Sequence, residues 1–150
     1  MPIKYIAVIV FAAISSLAVA QNSPDAIVGK WEAVPQKNVI VEVYKDQSEY
    51  KARVVWFNDN DDKTKPMNVR QDDNNVDPSL RKRRILGLQV LNNMIYNSKN
   101  NKWENGKIYD AKSGRTWNSS AWITNNNTLQ VRGFWHLEFI GQNMTFKKIG

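Results

Sequence analysis

Apolar and polar side chains alternate in short runs from residue 27 to the end of the chain, and no heptad or long 3.6-residue period interrupts them. Val39, Val41 and Val43 fall on one side of an extended segment and Ile40, Glu42 and Tyr44 on the other, the period of two expected of a strand with unlike faces. The next run repeats the pattern. Tyr50, Ala52, Val54 and Trp56 share a side opposite Lys51 and Arg53, and Asp46-Gln47-Ser48 forms a polar hairpin turn between the two. Further runs predict strands at 27–34, 39–45, 49–57, 85–96, 103–110, 115–123, 128–135 and 142–149. Turn-forming stretches separate the last of these: Lys99-Asn100-Asn101, Ala111 to Gly114, Asn125 to Asn127, and Gly141.

Two segments depart from this rhythm. Asn58 to Asn75 is polar, charged and almost free of large apolar residues, which reads as a long loop. Asp77-Pro78 then offers a capping carboxylate followed by proline at the first helical position, predicting one short helix near residues 78–83. About eight antiparallel strands in a meander predict an all-β protein that closes into a barrel, since closure removes exposed sheet edges.

The first twenty residues carry a different signal. Lys4 supplies a positive charge, Tyr5 to Leu17 an apolar stretch, and Ala18-Val19-Ala20 a small-residue cleavage site, the plan of a secretory leader. Residues 1–20 are therefore read as a signal peptide, residues 21–150 as one barrel domain, and the product as periplasmic or secreted. The apolar stretch is shorter than the roughly 20 residues of a membrane-spanning helix, and Ser15 and Ser16 interrupt it, so no membrane span is expected. With no cysteine in the chain, packing alone must hold the fold.

Gly29-Lys30-Trp31, at the start of the first strand, resembles the N-terminal Gly-x-Trp signature of lipocalin-like barrels. That resemblance implies structural roles for Gly29 and Trp31, with the indole plugging one barrel end, and for an arginine of a late strand stacked over it. Arg132 is the matching candidate by position; a planar cation over an indole gains about 0.5–2 kcal/mol. A wider pattern resembles a family of small exported bacterial proteins known as domain of unknown function 2147. Its blocks here are Gly29 to Trp31, Asn74 to Arg81, Ile85 to Leu88, Trp103 to Asp110 and Leu129 to Gly133. The chain departs from the family pattern at Arg84, where proline is expected, and at Met144-Thr145-Phe146-Lys147, which replaces a Trp-Thr-Arg ending. The resemblance implies a lipocalin-like fold and an export route, and no activity.

Charge and composition add less. The formal net charge is +7, of which Lys4 in the leader contributes one. Such a charge favours encounter with polyanions without defining a fold. His136, the one histidine, has no serine or cysteine nucleophile motif beside it, and one histidine without cysteine cannot build a zinc site. Asp59 to Asp62 lacks the turn glycine and closing glutamate of a calcium loop, and Arg70 stands at the closing position. A carboxylate pair such as Asp73 and Asp110 would be needed for acid–base catalysis, and nothing in the sequence brings those two together. No cofactor, no metal and no nucleic-acid partner is predicted.

Two functional readings lead, with an unrecognised hydrolase or isomerase built on such a carboxylate pair as a third. The six tryptophans either fill the barrel or line a cavity for a small, partly apolar molecule, with Trp56, Tyr109 and Trp117 as lining. Asp73, Asn75, Asp77 and Arg81, around the expected capped turn, complete the candidate ligand site at the barrel mouth. Alternatively, a solid barrel uses Arg81-Lys82-Arg83-Arg84 to hold an acidic envelope component or a partner protein. Cavity volume discriminates: about 300 Å³ or more favours the first.

Overall fold

A computed structural model describes residues 20–125, 127–138 and 140–150. The leader read at residues 1–20 lies, but for Ala20, outside the described residues. Eight antiparallel strands close into a barrel in sequence order: β1 (Gly29–Val34), β2 (Val39–Asp46), β3 (Glu49–Phe57), β4 (Gln89–Asn97), β5 (Lys102–Asp110), β6 (Arg115–Ile123), β7 (Thr128–Phe134) and β8 (Gly141–Ile149). The seam joins β1 to β8, with Lys30 opposite Ile149 and Val34 opposite Thr145. The expected all-β barrel is therefore the observed architecture. The expected helix near 78–83 is a single 3-10 turn, Pro78–Leu80, capped by the Asp77 side chain on the Ser79 amide.

Alternation holds along β2, where Val43 enters the core. It slips where the ladder is bulged. Val41 pairs with Val54 and Ile40 with Trp56, so Val55 is an extra residue on β3. An inserted residue reverses the facing of everything beyond it. β4 and β5 carry comparable irregularities, with Asn93 at φ 59° and Asn105 at φ 62° in the left-handed region that asparagine tolerates. They set Leu91 and Met94, and likewise Trp103 and Gly106, three residues apart on the inner wall.

The two barrel ends differ. The β2–β3, β4–β5 and β6–β7 hairpins meet at one end, where a 3-10 turn, Pro24–Ile27, lies across the opening. Its carbonyls are held by tryptophans: Trp31 Nε1 donates to Ile27 O at 2.7 Å and Trp103 Nε1 to Pro24 O at 3.0 Å. Asp25 Oδ1 accepts from Tyr50 at 2.6 Å and Lys45 at 2.8 Å. Ile27, Trp31, Tyr50, Met94, Trp103 and Ala121, each at most 2% exposed, fill this half of the barrel.

Trp31 thus plugs one end, as the lipocalin resemblance implies, but the cation over its ring is Lys148, with Nζ 5.4 Å from the centroid. Arg132 is committed elsewhere. It pairs across the ladder with Asn143, five residues from Lys148 along β8, and its guanidinium donates to Asn143 Oδ1 and to the Glu138 carbonyl. A lysine from the closing strand takes the role because the seam brings Lys148 directly opposite Trp31.

Candidate functional site

At the other end lie the β1–β2, β3–β4, β5–β6 and β7–β8 connections, and there the barrel is hollow. A cavity of about 1000 Å³ opens between them. Val41, Val54, Val90, Ile108 and Phe146 form its walls, and Phe57, Tyr109, Trp117, Phe134, Trp135 and Ile140 its upper ring. Asp110, Lys112 and Gln142 are the charged or amide-bearing lining residues. The tryptophans divide between the two ends: Trp31 and Trp103 fill the plugged half, while Trp117 and Trp135 line the hollow half in an edge-to-face pair 5.4 Å apart.

Of the three expected lining aromatics, Tyr109 and Trp117 are in place and Trp56 is not. The Val55 bulge turns Trp56 outward, 36% exposed, and delivers Phe57 to the cavity opposite Val39. No signal in the sequence marks that extra residue.

The long β3–β4 connection is anchored beside the mouth through one buried carboxylate. Asp72, 0% exposed, accepts Tyr109 Oη at 2.5 Å on Oδ1, and Arg83 Nε and Asn75 Nδ2, both at 2.8 Å, on Oδ2. Asn75 Nδ2 also reaches Tyr109 Oη at 3.0 Å, and the Arg83 guanidinium lies 5.1 Å from the Tyr109 ring centroid. Arg81 Nε donates to the Asn75 carbonyl, and Asn75 Oδ1 accepts the Asp77 amide. Burial first, and then the hydrogen bond to Asp72, push the Tyr109 phenol above its ordinary pKa. The Ser79 hydroxyl and amide hold Asp77 below the usual carboxylate value.

Asn75, Asp77 and Arg81 are therefore brought together with Tyr109, but of the four only Tyr109 lines the cavity, and the acid at their centre is Asp72. Asp73 points to solvent and lies 3.8 Å from Lys65. Adjacent aspartates in a polar loop look alike in sequence, and only the fold decides which is buried. Arg83, also absent from the expected site, completes it.

The acidic stretch ahead of this anchor is filled by its own cation. Arg70 donates to the Asp59, Asp62 and Lys65 carbonyls and forms an ion pair with Asp61 at 2.8 Å. Asp61 is held below its ordinary pKa by that guanidinium, and Asp62 by the Thr64 hydroxyl and amide. Among the described residues no group of three or more His, Cys, Asp or Glu side chains is arranged for a metal ion. His136 is exposed, its ring edge-on to Trp135 at 5.8 Å.

A closed eight-stranded meander, plugged by a tryptophan at one end and hollow at the other, defines a lipocalin-like barrel. In particular, the chain belongs to the bacterial family described as "Uncharacterized protein conserved in bacteria", domain of unknown function 2147, whose model matches residues 29–148. Among solved structures it is similar to protein HP1028 of the human pathogen Helicobacter pylori, described as belonging to the lipocalin family. That likeness has a TM-score of 0.70 at 20% identity over 83% of each chain, a relationship of fold. No curated protein sequence matches the chain.

Proposed function

We propose that the protein is an exported binding module that holds one small, largely apolar molecule in the barrel, with the molecule's polar end at the mouth beside Tyr109, Asp110, Lys112 and Gln142. The cavity of about 1000 Å³ carries this reading. Its size is at the upper end of the roughly 300–1,000 Å³ of small-molecule sites, and apolar walls with a few polar groups at one end are what such sites use for affinity and orientation. The plugged half supports it too, because a rigid floor of buried tryptophan lets the upper half stay open without collapse. Export is read from the leader. Recovery of a mature N-terminus at Gln21 from the cell envelope or medium tests that part, and recovery of the intact chain from cytoplasm counts against it.

Ligand binding is tested by titrating the purified barrel with 1-anilinonaphthalene-8-sulfonate and with fatty acids of graded length, following probe and tryptophan emission and native mass. Saturable one-to-one binding, lost in a cavity-filling Val41→Trp variant that melts normally, is expected. Failure of every probe to bind, or undiminished binding to Val41→Trp, rejects the reading.

A further inference from the structure

Nine large apolar side chains are exposed among the described residues, and their distribution is lopsided. Ile95, near the plugged end, is one; the other eight are at the mouth end. They include Val76 (74% exposed) and Leu80 (39%) on the β3–β4 connection, and Trp135 (54%), Leu137 (51%) and Ile140 (68%) on the β7–β8 connection. Scattered exposed apolar residues need no explanation, but a set gathered at one end of a barrel marks a contact surface.

The charge of that surface is as informative as its apolar content. Apart from Asp73, which points to solvent, carboxylates of the mouth connections are turned onto the protein's own donors. Asp59 accepts the Met67 amide, Asp61 pairs with Arg70, Asp72 with Arg83 and Tyr109, and Asp77 caps Ser79. The cations interleaved with the apolar residues are not answered in this way. Arg81, Lys82, Arg84 and Lys112 are exposed, and among the described residues none has a carboxylate oxygen within 4 Å.

We infer that the mouth of the barrel docks on an anionic phospholipid surface. These apolar side chains stand on two connections, with the exposed cations Arg81, Lys82, Arg84 and Lys112 beside them, a surface complementary to negative charge. It suits a bilayer interface, which accepts apolar side chains among its headgroups while attracting the cations. Tryptophan, here Trp135, is favoured at that depth. In this orientation the cavity opens onto the membrane, so an apolar molecule enters or leaves without crossing water. The docking does not depend on which molecule the cavity holds.

The test is co-sedimentation of the chain, lacking residues 1–20, with vesicles of phosphatidylglycerol and phosphatidylethanolamine, against vesicles of phosphatidylcholine alone. Binding to the anionic vesicles, weakened by salt, is expected, with tryptophan emission quenched by phosphatidylglycerol brominated on its acyl chains. Val76→Asp with Leu137→Asp, which changes no cavity-lining residue, is expected to abolish binding while leaving 1-anilinonaphthalene-8-sulfonate uptake intact. Each of Arg81→Ser, Lys82→Ser and Arg84→Ser is expected to weaken binding about fivefold. Wild-type protein that ignores anionic vesicles, binds phosphatidylcholine as well, or instead forms a dimer broken by Leu137→Asp overturns the inference, and none of these results bears on cavity binding.

Discussion

Tyr109 donates its hydroxyl to Asp72 at 2.5 Å, and this one bond ties the inner wall of the barrel to the loop outside it. Tyr109 lines the cavity, and Asp72 is the fully buried hub on which Asn75 and Arg83 converge. The shape of the mouth therefore depends on a carboxylate that does not itself line the cavity.

Removing that carboxylate is expected to be costly. Asp72→Ala leaves Arg83 and Tyr109 facing each other without their shared acceptor, and breaking such a pair destabilises by about 3 kcal/mol. Asp73→Ala, at an exposed position beside a long, solvent-screened ion pair, is expected to change stability by under about 0.5 kcal/mol. Urea unfolding of the two variants checks the contrast, and equal effects would contradict the burial assignment.

The loop has a second anchor with no room for a methyl group. Gly114 adopts φ +72°, and a Cβ there would lie 1.8 Å from the Asn74 backbone carbonyl. Gly114→Ala is expected to unseat the 72–83 stretch while the barrel persists. Faster protease cleavage within 58–88, with unchanged far-ultraviolet dichroism, is the measurement.

Inside the barrel, a Cβ on Gly106 would sit 2.4 Å from Ser119 Oγ and 2.7 Å from Met94 Cε. Gly106→Ala is expected to cost about 1–3 kcal/mol through overpacking. Ser119→Ala is expected to be neutral or slightly stabilising, because that buried hydroxyl finds no hydrogen-bond partner among the described residues. Thermal melts of both variants test the pair.

Tyr50 and Tyr109 have phenols raised above the ordinary 10.0, by burial first and then by hydrogen bonds to Asp25 and Asp72 respectively. A group whose folded pKa exceeds its unfolded one contributes stability that is fully present below about pH 10 and lost as pH rises through the folded value. Urea midpoints are expected to fall from pH 9 to pH 12. Tyr109→Phe should flatten that fall, and an unchanged slope would exclude Tyr109 as its source.

A substitution at Trp56 separates the sequence pattern from the fold. Trp56→Ala is expected to leave the affinity for 1-anilinonaphthalene-8-sulfonate within twofold, whereas Phe57→Ala, which strips the cavity ring, should weaken it severalfold.

The strands were legible because a barrel wall with a wet outside and an apolar inside imposes a period of two. β3 and β6 lie where alternation predicts them, at 49–57 and 115–123. Boundaries moved where other bonds compete with the ladder. Residues 85–88 turn back to Arg70 and Val54 instead of extending β4, and residues 24–27 coil to floor the barrel ahead of β1. The loop anchor was legible as a neighbourhood, since Asn75, Asp77, Arg81 and Tyr109 do meet, although only Tyr109 of these lines the cavity. The identity of its central acid was not, because Asp72 differs from Asp73 only in which way the folded loop turns it. The bulge at Val55 and the seam that sets Lys148 over Trp31 depend on strand register, which one chain's alternation does not specify.

Every strand but the first and last pairs only with neighbours in sequence, so the β1–β8 seam alone converts a ribbon into a cylinder. A chain ending before Gly141 would not be a shorter version of this protein. It would be an open sheet with raw backbone along β1 and β7, primed to recruit other copies of itself, and the aggregation of such a fragment would measure how much the closing strand protects.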